Sequence, residues 1–136
     1  MALSWDQILG ILLIIGTLYL RSRSEDNTPM PSGKAIEVDN DVVFKALISS
    51  GPVIVDFYAT WCGPCKAIAP KIAQWSEEHT NIRFLKVDVD KMRQIASTYG
   101  ITAMPTFIVF KDGQSVQTIR GANVPELQNA IQSLSA

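Results

Sequence analysis

Apolar positions fall into two unequal blocks. The first is a short run, Ile8 to Leu20, in which every residue is apolar, Gly, Thr or Tyr. Extending it back to Leu3 adds Ser4, Trp5, Asp6 and Gln7. This block predicts an N-terminal hydrophobic helix, residues 1–20. A comfortable membrane span takes roughly 20 residues; the run has about thirteen, and about eighteen when extended, so it is short. The next stretch, 21–33, is polar and broken by Pro29, Pro31 and Gly33. It reads as a flexible tether.

The second block, residues 34–136, alternates in period. Ala35 to Val38 is a short extended start, and Asn40 and Asp41 are good helix-capping residues. Val42, Val43, Ala46 and Leu47 then recur at helical spacing. Gly51-Pro52 breaks the chain. Val53 to Ala59 is a continuous β-branched and aromatic run, the pattern of a strand buried on both faces. A helical stretch from about Cys62 to His79 follows, with Pro70 expected to kink it. Arg83 to Val89 reads as a strand, and Lys91 to Tyr99 as a helix stopped by Gly100. Thr106–Phe110 and Gln114–Ile119 flank Asp112-Gly113, a hairpin signature. Pro125 opens a last helix through Leu134. The order β-α-β-α-β-α-β-β-α predicts an α/β domain, a central mixed β-sheet flanked by helices.

Composition changes this picture little. A net charge of −1 offers no basic face, so no nucleic-acid partner is expected. The chain has only 2 cysteines, Cys62 and Cys65, too few and too close for a disulfide framework. Zinc needs four ligands, and beyond this pair only His79 offers itself, so no metal is expected. A redox pair remains. Three residues apart at the start of a helix, the two sulfurs share a face within bonding reach. The helix N-terminus favours a thiolate, the attacking species. Cys62 stands first and is the expected nucleophile; Cys65, a turn deeper, is the resolving thiol. Gly63 and Pro64 between them carry no charge to stabilise the reduced form, which tilts the pair towards donating electrons.

Asp56 is the anomaly of the buried strand. An isolated buried carboxylate is costly, so it must be protonated or paired, with Lys86 a candidate partner. It reads either as the proton acceptor for Cys65 or as half of a structural pair. Pro105, after Met104, is either a plain edge breaker or a cis proline in a tight turn.

The segments Val55-Asp56-Phe57-Tyr58-Ala59-Thr60-Trp61-Cys62-Gly63-Pro64-Cys65-Lys66, Lys86-Val87-Asp88-Val89-Asp90, Thr102-Ala103-Met104-Pro105-Thr106-Phe107, Lys111-Asp112-Gly113 and Gly121-Ala122-Asn123 closely resemble the thioredoxin family, its fungal members above all. The resemblance covers residues 34–136. It implies the thioredoxin fold and a protein-disulfide reductase in which Cys62 attacks and Cys65 resolves. It further implies that Asp56 handles the proton with Lys86 modulating it, and that Pro105 is cis. Trp61, Gly63, Pro64 and the backbone around Met104 would face substrate, with Gly121 completing the apolar rim. No bound cofactor is implied. Electrons would come from NADPH through a separate thioredoxin reductase, and the other partners would be disulfide-containing proteins. A monomer is expected. Tyr58 stands where many family members carry Trp or Phe.

Two rival classes are a redox-silent binding module and a secretory oxidase or isomerase. Retention of Cys62, Cys65 and Asp56 speaks against the first, the uncharged Gly63-Pro64 against the second. The N-terminal segment lies outside the resemblance. It lacks the basic leader and cleavage site of a secretory signal and the Arg-rich amphipathic pattern of a transit peptide. A buried helix would have no core to join. The reading favoured is a membrane anchor through residues 3–20, with Arg21 and Arg23 holding the domain in the cytosol at the endoplasmic reticulum or mitochondrial outer membrane. The alternative is the mitochondrial matrix.

Overall fold

A computed structural model describes residues 2–22 and 29–136. Helix α1 spans Trp5–Ser22. The domain then runs β1 (Ile36–Glu37), α2 (Asp41–Ile48), β2 (Pro52–Tyr58), α3 (Gly63–Glu78), β3 (Arg83–Asp88), α4 (Arg93–Thr98), β4 (Thr106–Lys111), β5 (Gln114–Arg120) and α5 (Val124–Ser135). The five strands form one sheet in the order β1-β3-β2-β4-β5. β1 and β2 lie parallel to β3, while β4 is antiparallel to both β2 and β5. The mixed sheet expected from the sequence is therefore present.

Strand alternation sends side chains to two cores. Val53, Val55 and Phe57 join Phe44 and Ile48 of α2, Ile95 of α4, and Leu85 and Val87. On the other face Ile54, Phe84 and Phe107 pack with Ile68, Ile72 and Trp75 of α3 and Leu127 and Ile131 of α5. Asp56 and Tyr58 share the parity of Ile54 and so lie on the α3 face.

Helix α2 buries Phe44 and Ile48, while Val42 is 76% exposed and Val43 39%. The larger side chains, Phe44 and Ile48, gain most from the core. α3 runs through Pro70 as one helix, Gly63–Glu78. One expectation is corrected: no helix among the described residues is long and apolar enough to cross a membrane. Asp6 and Gln7 occupy the first turn of α1 and Arg21 its end, which leaves too short an apolar middle for a span at residues 3–20. Its large side chains, Leu9, Leu12, Leu13, Ile14 and Ile15 among them, are exposed. Of the expected tether, residues 23–28, Arg23 included, lie outside the described residues. Its C-terminal end packs on the domain: Met30 touches the cluster around the cysteines, and the Ser76 hydroxyl accepts from the Lys34 N–H at 2.9 Å.

Candidate active site

The cysteine pair sits where β2 hands over to α3. Cys62 has extended backbone (φ −81°, ψ 114°) and caps α3, its sulfur accepting the Cys65 N–H at 3.2 Å. Its own N–H donates to the Ala59 carbonyl at 3.2 Å, which fixes the turn. A helix start offers unpaired N–H groups and the positive end of the dipole. Negative charge on the Cys62 sulfur is stabilised there. Cys62 and Cys65 are joined in a disulfide with Cα atoms 5.3 Å apart. Pro64 occupies the first turn, where no N–H is needed.

The loop before β4 closes on the same sulfur. The Met104 carbonyl oxygen is 3.5 Å from Cys62 Sγ, and the Met104-Pro105 bond is cis. The Gly121 N–H donates to the Pro105 carbonyl at 2.8 Å, tying the end of β5 to this loop. Gly121 has φ +81°, a conformation suited to glycine. Trp61 is 66% exposed, with its indole N–H donating to Asp90 at 2.8 Å. A cleft of about 460 Å³ opens beside Met104, lined by Val89, Arg93, Ile101 and Thr102 among others. Trp61, Cys62, Gly63, Pro64, Cys65, Met104, Pro105 and Gly121 thus converge at one end of the sheet. His79 lies at the far end of α3, its Nδ1 3.5 Å from Ser135 Oγ. Among the described residues no group of His, Cys, Asp or Glu could hold a metal ion.

In the strand that leads to the disulfide and its neighbours, register builds a row of ionisable groups. Asp56 pairs with Lys86, and Lys86 with Glu37 on its other side. Asp56 and Lys86 are both 5% exposed. Burial pushes the Asp56 carboxyl up to about 7; the Lys86 ammonium pulls against this and Glu37 adds to it. One carboxyl oxygen, Oδ1, is buried without a hydrogen-bond partner among the described residues. Such a group takes up a proton readily, and near neutrality it exchanges one.

Tyr58 and Glu37 escaped the sequence reading. The Tyr58 hydroxyl donates to Glu37, and the Lys86 ammonium lies 4.6 Å from the centre of the Tyr58 ring. Burial, then the bond to Glu37, pushes the Tyr58 phenol upward. The local signal was a phenol within an apolar strand. Its partner became visible only once β1 was paired with β3.

A mixed α/β sheet whose Cys-Gly-Pro-Cys pair caps a helix defines a dithiol/disulfide oxidoreductase. Residues 35–133 match the family model described as Thioredoxin, and the chain belongs to the thioredoxin family. It is 56% identical over 108 residues to Thioredoxin Asp f 28 of Aspergillus fumigatus, covering 79% of this chain and 100% of that one. It is 57% identical over 86 residues to Thioredoxin-2 of Pyricularia oryzae, covering 63% of this chain and 50% of the other. The solved thioredoxin of Plasmodium falciparum superposes with a TM-score of 0.70 at 44% identity, over 73% of this chain and 98% of that one. The protein is a thiol-disulfide oxidoreductase that works through Cys62 and Cys65.

Proposed function

We propose that the chain reduces protein disulfides, with Cys62 as nucleophile, Cys65 as resolving thiol and Asp56 as proton acceptor. The observation that carries this reading is the Cys62 sulfur at the cap of α3, held by the Cys65 N–H. The Cys62 thiolate attacks one sulfur of a substrate disulfide, and the other leaves as a thiolate that takes up a proton. Cys65 then gives its proton to the Asp56 carboxylate and attacks Cys62. The Cys62–Cys65 disulfide forms and the second substrate sulfur departs. Two electrons pass to the substrate. Lys86 modulates Asp56, while Trp61, Gly63, Pro64, Met104, Pro105 and Gly121 offer the surface on which substrate lies. NADPH, acting through a separate thioredoxin reductase, restores the dithiol. Insulin reduction in the presence of that reductase and NADPH tests the direction: steady NADPH oxidation supports it, and oxidation of a reduced substrate without NADPH consumption contradicts it.

The same proposal extends to the N-terminus. The exposed apolar residues of α1 support attachment to a membrane by partial insertion, with the domain facing the cytosol at the endoplasmic reticulum or mitochondrial outer membrane. The alternative compartment is the mitochondrial matrix. Protease treatment of intact organelles distinguishes them: digestion of the domain fits the cytosolic side, and protection contradicts it.

A further inference from the structure

The segment that leads into the domain, from Met30 to Lys34, lies just before the residues matched by the family model, 35–133. It is nonetheless built onto the domain through four residues, Met30, Ser32, Gly33 and Lys34. Gly33, at φ +54°, lies so close to α3 that a Cβ would collide with the Ala73 carbonyl and come within 2.6 Å of Ser76 Oγ. Only glycine fits both that conformation and that space. The Ser76 hydroxyl accepts the Lys34 N–H at 2.9 Å and donates to the Ala73 carbonyl at 2.6 Å. The chain is thereby pinned to the helix that carries Cys65. One residue earlier, the Ser32 hydroxyl accepts from Lys86 Nζ at 3.3 Å and donates to the Met30 carbonyl at 3.4 Å. Met30 packs on the cluster of Tyr58, Ala59, Cys62 and Cys65.

The ammonium of Lys86 therefore has competing neighbours. Asp56 flanks it in register on β2 and Glu37 on β1. It is bonded to Ser32 and lies over the Tyr58 ring, while Asp56 Oδ1 goes without a partner among the described residues. We propose that Ser32 is a positioning residue for disulfide exchange: the strap Met30–Lys34 holds the Lys86 ammonium on Ser32 and Tyr58, and so leaves the Asp56 carboxylate free to take the proton of Cys65. This rests on the reading of Asp56 as proton acceptor. The ionisable groups set against Asp56 are Lys86, its register partner on β3, Glu37 on β1 and Tyr58 on its own strand, with Asp88 of β3 acting on Tyr58; its register partner on β4 is Phe107.

Loss of the strap acts on Asp56 in one direction by two routes. A released ammonium relaxes towards the carboxylate and stabilises its charge. An uncovered site admits water, which also favours the charged form. Both lower the Asp56 midpoint. The test uses the full-length chain and two readouts: the carboxyl carbon titration of Asp56 in the oxidised protein, and the pH profile of disulfide reduction. Ser32→Ala and Gly33→Ala are expected to lower the Asp56 midpoint by about one unit and to move the acid limb of the profile the same way. Ser32→Thr, which keeps the hydroxyl, is expected to restore both. An unmoved midpoint in Ser32→Ala and Gly33→Ala, with Asp56→Asn altering the profile, overturns the strap proposal alone. A profile unchanged by Asp56→Asn overturns the proton-acceptor reading, and the strap's role in exchange with it.

Discussion

Asp56 is the proposed proton acceptor, and the energetics of its burial carry a definite sign. Its carboxyl titrates near 7 in the folded oxidised protein against 3.8 in an unperturbed chain. Between those values the folded state binds the proton that the unfolded state has lost, so stability falls as pH rises from about 3.8 to about 7 and is level above. Asp56→Asn removes this cost. Denaturant melts of the oxidised variant should show a gain that is small near pH 4, grows to at most about 4 kcal/mol by pH 8 and comes with an unchanged fold. Turnover should fall about a hundredfold or more. A stability gain independent of pH would contradict the shifted carboxyl. That a lone acid stands in an apolar strand was legible from the sequence, because strand runs tolerate so few charges. Lys86 was legible as a partner because it lies on a second strand-like run. Glu37 and Ser32 were not: one depends on the pairing of β1 with β3, the other on a close approach to α3 that polar, proline-rich sequence disguises as linker.

Elements were read well where local chemistry dictates them and poorly where packing chooses. The hairpin turn is of the first kind. Asp112 and Gly113 both have positive φ, 51° and 83°, the pair of conformations that Asp-Gly supplies between antiparallel strands. The start of α2 is another, with Asn40 Oδ1 accepting the Val43 N–H at 3.0 Å. Asn40→Ala should cost about 1 kcal/mol in a urea melt. The buried face of α2 is of the second kind. Two helical registers fit its sequence, and the sheet takes the one with Phe44, whose ring meets Tyr99 and Phe110 at 5.7 and 6.3 Å between centres. Phe44→Ala should cost about 3–5 kcal/mol and Val42→Ala only a few tenths. Equal costs would restore the other register. At α1, Ser4 and Gln7 exchange bonds, the Gln7 N–H to Ser4 Oγ at 3.3 Å and the Ser4 N–H to Gln7 Oε1 at 3.0 Å. This capping box fixes the helix start within a segment whose apolar run alone gave no boundary.

At the scale of the molecule, a complete redox domain is preceded by a helix whose apolar side chains face outward. Because those side chains are exposed, the domain's stability should not depend on them. A chain starting at Pro29, which keeps Met30 and Ser32, should melt as the full-length protein does and lose only its retention on liposomes in a flotation assay. A lowered melting temperature would instead place α1 in the domain's core. The proposed reaction requires two thiols acting in a fixed order, Cys62 first because it caps α3 and Cys65 second because it lies one turn within it. Trapping separates the two roles. Cys65→Ser and Cys62→Ser variants are mixed with a disulfide substrate and resolved on non-reducing gels. Stable mixed disulfides should form with Cys65→Ser, where the resolving step is gone, and almost none with Cys62→Ser. Equal trapping by the two variants, or trapping by Cys62→Ser alone, would contradict that order.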